Sequence, residues 1–208
     1  MSSSEGLPKV PAELPRIGNR FTRGLGRFVL SLFGWRIEGE LPNLPKIVVA
    51  GAPHTSNWDF VIGLAVVFCL KLKISFFGKH SIFIPPFSAL LKRWGGIPIE
   101  RSRSHGVVEQ MIGKVKQADK MLLCLAPEGT RSKISPWKSG FIHIARHANV
   151  PVFLIGLDYQ HKTILFGPIF DPSNDTELEM EKVYEFYARV QPKYPSQVAY
   201  PAEKTIEE

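Results

Sequence analysis

The 208-residue sequence has few cysteines and no apolar run long enough to cross a bilayer. Cys69 and Cys124 both lie inside apolar stretches, which predicts two buried thiols in a reducing compartment and no disulfide framework. The longest apolar run, at residues 60–70, falls short of the roughly 20 residues that a spanning helix needs. The first residues also lack the apolar core of a secretory signal. We therefore expect a cytoplasmic location with no spanning helix.

Several kinds of functional motif are also missing. We find no ligand spacing of a nucleic-acid-binding zinc module, no signature of an RNA-binding sheet and no dense basic run, so no nucleic-acid partner is predicted. His143 and His147 have the spacing of a zinc-binding helix face, but no glutamate follows His143 and no third ligand is evident, so we predict no metal site. Ser139 does not lie in a G-x-S-x-G turn, which excludes a serine hydrolase of that type.

What the chain does have is an apolar content of 44% and a net charge of +7, from 26 basic and 19 acidic residues. The apolar content is sufficient for one domain with a real core. The positive charge favours anionic partners, such as phospholipid surfaces, phosphorylated substrates or coenzyme A.

Apolar segments of strand length alternate with segments of helical periodicity along most of the chain. Strands are predicted at 47–52, 74–78, 97–99, 121–126, 152–157 and 163–166, and helices at 58–72, 86–94, 104–118, 139–148 and 177–189. This alternation predicts a single-domain α/β sandwich over residues 41–190, with a mainly parallel central sheet flanked by helices. We expect a flexible N-terminus at 1–15, an amphipathic helix and linker at 16–40, and an irregular tail at 191–208.

The segment 19–35 has the periodicity of an amphipathic helix with a basic side. Its apolar face carries Phe21, Leu25, Phe28, Leu32 and Trp35, and its basic cluster consists of Arg20, Arg23 and Arg27. Such a helix either packs on the domain like any other, or lies among anionic lipid headgroups with its aromatic side chains inserted. The pattern alone does not separate these alternatives.

The hexapeptide His54-Thr-Ser-Asn-Trp-Asp59 puts an imidazole and a carboxylate five positions apart where a predicted strand ends. Asp59 falls in the first turn of the next helix, which Thr55, Ser56 or Asn57 can cap. A carboxylate on one ring nitrogen of His54 leaves the other nitrogen free to take a proton from a substrate hydroxyl. A histidine beside a helix N-cap is more often structural, so the pair needs support from elsewhere in the chain.

That support comes from three later blocks: Gly-Ile-Pro-Ile-Glu-Arg at 96–101, Pro-Glu-Gly-Thr-Arg-Ser at 127–132, and Val-Pro-Val at 150–152. Together with residues 54–59, they make the chain resemble the glycerolipid acyltransferase family, the 1-acylglycerol-3-phosphate acyltransferases of the H-x4-D type. The resemblance extends over residues 46–159. It implies an O-acyltransferase of phospholipid biosynthesis in which His54 is the general base and Asp59 orients it. It implies no cofactor and no metal, with acyl-CoA or an acyl carrier protein thioester as co-substrate.

The resemblance also implies an acceptor site for a lysophospholipid, with lysophosphatidic acid as the expected acceptor. Glu128, Gly129, Thr130 and Arg131 are implied to shape it, and Lys79 and Arg101 to bind its phosphate end. Arginine can grip a phosphate with two hydrogen bonds, and lysine adds a point charge. Backbone N–H groups near residues 127–131 are expected to help stabilise the oxyanion. Without the resemblance, these charges would be interpreted as solvated surface groups.

An enzyme that acts on lipids also favours the membrane-interface interpretation of the segment 19–35, at the cytoplasmic face of a membrane. Two alternatives remain open. One is the same chemistry on another lysolipid, such as a lyso-ornithine lipid. The other is a non-catalytic, membrane-associated lipid-binding protein, against which the His54–Asp59 pair argues because a binder has no need of a general base.

Overall fold

The computed structural model describes residues 7–99, 104–129 and 133–200. Seven strands form one sheet: β1 (Arg36–Glu38), β2 (Lys46–Ala52), β3 (Ile74–Lys79), β4 (Gly96–Ile99), β5 (Met121–Leu125), β6 (Val152–Asp158) and β7 (Thr163–Phe170). Their order across the sheet is β1-β7-β6-β2-β5-β3-β4. Every neighbouring pair is parallel except β6 and β7, which are antiparallel. The predicted α/β architecture with a mainly parallel sheet is confirmed.

Helices cover both faces of this sheet. They are α1 (Arg20–Leu32), α2 (Asn57–Leu70), α3 (Phe87–Arg93), α4 (Ser104–Gln117), α5 (Gly140–Ala148) and α6 (Thr176–Ala188). In the central strand β2, Val48 and Ala50 point to the core shared with α4, α5 and α6, whereas Ile47 and Val49 point to the core shared with α1 and α2. A strand buried on both faces has no polar side, which explains the continuous apolar run of β2.

Two strands differ from the sequence-based expectation. The short edge strand β1 was not predicted, because Arg36 and Glu38 are exposed and form an ion pair with each other instead of carrying an apolar pattern. Strand β7 continues four residues beyond the predicted end and runs antiparallel to β6, since a turn at residues 159–162 joins the two as a hairpin.

The expectation of a flexible N-terminus is wrong for residues 7–15. Leu14 is buried in the core on the α2 side of the sheet. The chain is also fixed by backbone hydrogen bonds from Ile17 to Lys71 and from Lys73 to Pro15. These contacts hold the segment before α1 against the end of α2.

Helix α1 packs closely on α2 through Gly26. A Cβ atom at Gly26 would lie only 2.5 Å from the Ala65 carbonyl oxygen and from the Cys69 nitrogen, so the two backbones approach as closely as glycine permits. The apolar stripe of α1 lies elsewhere on the helix: Phe21 is 77% exposed and Phe28 is 62% exposed. The helix is therefore packed on the domain and still presents its aromatic side chains to the outside.

The prediction that Trp35 belongs to this exposed stripe is wrong. Helix α1 ends at Leu32, and the chain then turns so that Trp35 enters the core, where it is only 9% exposed. Its ring packs edge-to-face on Tyr159, with the ring centroids 4.9 Å apart. Within the described ranges, no helix is long and apolar enough to cross a membrane.

Candidate active site

The His54 block lies in the loop between β2 and α2, at the carboxyl end of the central strand. Ser56 is the N-cap of α2, and its hydroxyl accepts a hydrogen bond from the Trp58 N–H at 3.1 Å. In return, the Asp59 carboxylate accepts the Ser56 N–H at 2.7 Å, which completes a capping box. The same local motif that begins the helix therefore fixes the backbone of Asp59 opposite His54.

The two oxygens of Asp59 have different partners. Oδ2 lies 3.1 Å from His54 Nδ1 and accepts the Thr55 and Ser56 N–H groups at 2.8 and 2.7 Å. Oδ1 accepts the Tyr159 hydroxyl at 2.5 Å. Burial alone would raise the pKa of Asp59, but the hydrogen bonds from His54, Tyr159 and the Ser56 backbone together hold it below its ordinary value. Asp59 is therefore an ionised carboxylate inside the protein.

The position of this carboxylate determines the tautomer of His54. A nitrogen that faces an ionised carboxylate carries the hydrogen, so Nδ1 is the donor and Nε2 keeps its lone pair. The imidazole is one-third exposed, while the Asp59 side chain is almost fully enclosed. An oriented imidazole with an exposed basic nitrogen can accept a proton from a bound hydroxyl.

Glu128 supports His54 from the opposite side. Its side chain is only 4% exposed, and both carboxylate oxygens accept the His54 backbone N–H, at 2.9 and 3.0 Å. Burial raises the pKa of Glu128 to about 7 despite these hydrogen bonds and the nearby imidazole. The structure thus gives Glu128 a supporting position behind the histidine, which sequence analysis did not predict.

The turn that follows Glu128 uses the conformational freedom of glycine. Gly129 has a φ of +65°, and its N–H donates to the Ala126 carbonyl oxygen at 2.9 Å. This hydrogen bond occupies the Gly129 N–H, one of the backbone N–H groups near residues 127–131; the sequence-based expectation of an oxyanion contact in this region named none of them. Lys138 lies over the same glycine, since a Cβ there would meet the Lys138 ammonium nitrogen at 3.3 Å. The turn is therefore accompanied by a cation that sequence reasoning missed.

An apolar cavity of about 530 Å³ opens beside His54 and extends between α2 and the sheet. This volume is in the usual range of small-molecule sites, roughly 300–1,000 Å³. His54, Asp59 and Phe60 are among its lining residues, and its other walls come from α2, from the end of α3 and from strands β2, β3, β5, β6 and β7. Cys124 lines one wall, and burial raises the pKa of its thiol to about 12, so it is an unreactive apolar wall group. The cavity suits a flexible apolar chain.

Some of the other predicted site residues lie outside the described ranges. Arg101, Thr130 and Arg131 are among the residues that the structure does not describe. The backbone of Lys79 ends strand β3, at the same edge of the sheet as the loop of His54. In the described ranges, no three His, Cys, Asp or Glu side chains lie close enough together to hold a metal ion.

The C-terminal half adds residues that sequence analysis overlooked. Tyr159 follows β6 directly and contacts Asp59, and the Tyr194 N–H donates to the Thr55 hydroxyl at 3.3 Å. The ammonium of Lys193 lies between 5.1 and 5.9 Å from the ring centroids of Trp58, Tyr159 and Tyr194. The sequence alone has no signal for Tyr159. Only the observed strand order, in which β6 is a parallel neighbour of β2, places the residues after these two strands at the same edge of the sheet.

A family model and several relatives match this chain. The family model described as Acyltransferase matches residues 36–157, more than half of the chain. The chain belongs to the Acyltransferase family. The matched region includes His54, Asp59, Glu128 and most of the cavity lining, and it ends two residues before Tyr159.

Relatives that share one name with each other occur in a bacterium and in plants. The 1-acyl-sn-glycerol-3-phosphate acyltransferase of Haemophilus influenzae is 28% identical over 152 residues, covering 68% of this chain and 61% of the relative. The protein of that name from Cocos nucifera is 27% identical over 198 residues, covering 86% of this chain and 63% of the relative. The chain thus spans about three fifths of the length of these relatives.

A solved structure has the same fold. The crystal structure of the 1-acyl-sn-glycerophosphate acyltransferase from Thermotoga maritima matches with a TM-score of 0.57 and 19% identity, over 83% of this chain and 81% of that one. At this identity the match shows a shared fold.

Proposed function

We propose that this protein transfers a fatty acyl group from a thioester to the free hydroxyl of lysophosphatidic acid, giving phosphatidic acid. The observation that carries the proposal is the His54–Asp59 pair in the lining of an apolar cavity of about 530 Å³. A general base and an apolar chain site side by side are what acylation of a lipid hydroxyl requires. The names of the relatives, 1-acyl-sn-glycerol-3-phosphate acyltransferases, support lysophosphatidic acid as the acceptor.

In the proposed mechanism, His54 Nε2 takes the proton of the acceptor hydroxyl as its oxygen attacks the thioester carbonyl carbon. The imidazolium that forms is stabilised by Asp59 through the Nδ1 hydrogen bond of 3.1 Å. The tetrahedral intermediate then collapses: the carbon–sulfur bond breaks, the thiolate leaves, and the proton on His54 returns to solvent or to the thiolate. Neither a covalent acyl-enzyme nor a cofactor takes part, and the donor is acyl-CoA or acyl carrier protein.

The acyl chain is proposed to occupy the cavity and the phosphate end of the acceptor to remain outside it. Only 4% of the Glu128 surface is exposed, so its part in the acceptor site is to hold the His54 loop. The phosphate contacts are assigned to Lys79, Arg101 and Arg131, a role that follows from their place in the family blocks. Gly129 and Thr130 are assigned to the acceptor site on the ground of the same resemblance.

We also propose that the apolar stripe of α1 rests on an anionic membrane surface, as part of phospholipid biosynthesis at that surface. The stripe continues onto α2, because Phe33 contacts Trp58 with ring centroids 5.5 Å apart. Trp58 lies in the first turn of α2, next to the cavity-lining residue Asp59. Exposed members of this surface are Phe21, Leu25, Phe28, Leu32, Phe33, Trp58, Phe60 and Val61. Arg20, Arg23 and Arg27 are exposed on the same helix and can add about 1 kcal/mol each of attraction to anionic headgroups.

A turnover assay tests the chemistry. Purified protein is incubated with a panel of lysolipids that includes lysophosphatidic acid and lyso-ornithine lipid, with acyl-CoA or acyl carrier protein thioester as donor, and products are read by mass spectrometry. His54→Ala should lose about 10²–10⁴-fold or more in kcat. His161→Ala is a matched control, because His161 Nδ1 also faces a carboxylate, Asp158 Oδ2 at 2.8 Å, but lies outside the cavity.

The outcomes separate the alternatives. Full activity of a folded His54→Ala protein would refute the mechanism. Preference for a different lysolipid would keep the mechanism and change the acceptor, whereas lipid binding without turnover on any acceptor would make the protein a binder.

Vesicle co-sedimentation tests the membrane surface separately. The double variant Phe21→Ser/Phe28→Ser should pellet less with anionic vesicles, because both side chains are exposed and their loss removes apolar insertion. Leu178→Ser is the control, since Leu178 is an exposed apolar residue on α6, on the other face of the sheet. Equal pelleting of all three proteins would show that α1 is only a packing helix.

A further inference from the structure

Tyr159 is in contact with the catalytic pair of the proposed mechanism but belongs to none of the sequence blocks. It follows β6, and its hydroxyl donates to Asp59 Oδ1 at 2.5 Å. The ring is held edge-to-face against Trp35, with an interplanar angle of 88°. The hydroxyl is therefore directed at Asp59 by a ring that is itself fixed in the core.

The donors around Asp59 are divided so that each oxygen has a separate task. Oδ2 receives the Thr55 and Ser56 N–H groups and the His54 ring. Oδ1 is served by Tyr159. Without the phenol, Oδ1 would be a buried carboxylate oxygen lacking its charged-group hydrogen bond, which is a costly state. The carboxylate would then rotate or take up a proton, and either change disturbs its contact with His54.

On the basis of the proposed function, we propose that Tyr159 is a positioning residue that holds Asp59 Oδ1, so that Oδ2 stays directed at His54 Nδ1. With Asp59 held in this way, His54 keeps its hydrogen on Nδ1 and its lone pair on Nε2, which is the form that accepts the proton of the acceptor hydroxyl.

Other charged or titratable groups also lie near the pair in the described part of the chain. Glu128 lies behind the His54 backbone, and the Lys193 ammonium lies 5.7 Å from the centroid of the Tyr159 ring. Tyr194 is the nearby phenol, and the electrostatic influence of Tyr194 and Asp59 adds to burial in raising the pKa of Tyr159. Tyr159 therefore stays protonated as a hydrogen-bond donor throughout the working pH range.

The test compares Tyr159→Phe with Tyr184→Phe. Phenylalanine keeps the ring contact with Trp35 and removes only the hydroxyl, so the variant retains the packing. Tyr184→Phe removes a phenol oxygen that accepts the Trp137 N–H at 2.8 Å in the core on the α6 side of the sheet, away from Asp59. Two quantities are measured for each protein: kcat and KM with the preferred acceptor, and the ¹H and ¹⁵N NMR signals of the His54 ring, which report the tautomer and the hydrogen bond of Nδ1.

For Tyr159→Phe we expect a loss in kcat of roughly 10- to 100-fold, the loss of a hydrogen bond to a charged group, with KM unchanged. The NMR signal of the hydrogen on His54 Nδ1 should weaken or move upfield, because Oδ2 of Asp59 is no longer held toward it. Tyr184→Phe should change neither. A merely structural Tyr159 would leave the Nδ1 signal where it is, and that result overturns the proposal.

A graded variant keeps the test decisive if Tyr159→Phe fails to fold. Replacing Tyr159 by 3-fluorotyrosine strengthens the phenol as a donor to Asp59 with little change of shape. The Nδ1 hydrogen signal of His54 should then move upfield, because the carboxylate has less charge to share with it; an unchanged signal overturns the proposal. The two proposals fail separately. If the wild-type protein has no transferase activity but the Nδ1 signal responds, the proposed function falls and the coupling of Tyr159 to His54 stands. If the protein is active and the signal does not respond, only the assignment of Tyr159 falls.

Discussion

Replacing Asp59 by asparagine should remove the charge behind His54 without changing the tautomer of the ring. The reason is the position of Oδ2, which accepts two backbone N–H groups at 2.8 and 2.7 Å in addition to the imidazole. An amide NH₂ cannot occupy a position at which two N–H groups already point. The asparagine oxygen must therefore take the place of Oδ2, its NH₂ must face Tyr159, and His54 Nδ1 still finds an acceptor.

The expected size of the effect follows from this geometry. In the serine-protease triad, an Asp→Asn change forces the wrong tautomer and lowers kcat by about 10⁴. Here only the charge is lost, which weakens one charge-assisted hydrogen bond by about 1.5–3 kcal/mol. That corresponds to a decrease in kcat of roughly 10- to 100-fold.

The measurement is kcat with the preferred lysolipid and donor, together with the ¹⁵N NMR spectrum of His54. The expected result is the moderate loss with the hydrogen still on Nδ1. A loss of about 10⁴ with the hydrogen on Nε2 would refute the argument, because it would mean that the Thr55 and Ser56 N–H groups do not fix the orientation of the amide.

Three further changes have expected outcomes. Gly26→Ala should destabilise the protein by about 1–3 kcal/mol, because the new methyl group pushes α1 away from α2. Gly24→Ala should stabilise the protein by up to about 1 kcal/mol, because a Cβ there meets nothing within 4 Å. Chemical denaturation measures both free energies of unfolding, and equal effects would contradict the close packing. Burial raises the pKa of Glu128 from 4.5 to about 7, so the protonated carboxyl favours the folded state below about pH 4.5 and this contribution is lost as the pH rises through 7. Relative to the non-titrating Glu128→Gln variant, the wild-type protein should lose on the order of 3 kcal/mol between these limits, and a constant difference in urea melts would contradict the shift. Arg101→Ala should raise the KM of a phosphate-bearing acceptor and leave the donor KM unchanged; the reverse pattern would assign Arg101 to the donor.

Much of the fold was predictable because its strands are continuous apolar runs separated by segments of helical period. Strand β1 and the end of β7 were not, since neither has a pattern of its own: β1 is three residues long, and its pairing is decided by the neighbour β7. Trp35 was misplaced for a similar reason. Helical periodicity assigns Trp35 to the apolar stripe of α1. The helix ends at Leu32, however, and the turn that follows places the Trp35 side chain in the core.

At the site, sequence reasoning reached the residues whose chemistry is local. His54 and Asp59 are positioned by a helix cap that is formed within four consecutive residues, Ser56 to Asp59. Glu128 was found, but its task was not, because a carboxylate that holds a backbone N–H looks in sequence like one that faces a substrate. Tyr159 was missed because its partner is fixed by strand order, which a single sequence does not reveal.

The hydrogen bonds that complete the site join parts of the chain that are far apart in sequence. His54 and Glu128 are 74 positions apart, Asp59 and Tyr159 are 100 apart, and Thr55 and Tyr194 are 139 apart. Contacts of such long range form only after large loops have been closed, which is slow and requires most of the sheet. A peptide that contained the whole H-x4-D motif and its helix would thus lack the geometry of the site. During refolding, the return of activity should coincide with completion of the entire sheet, so that turnover becomes a measure of global folding.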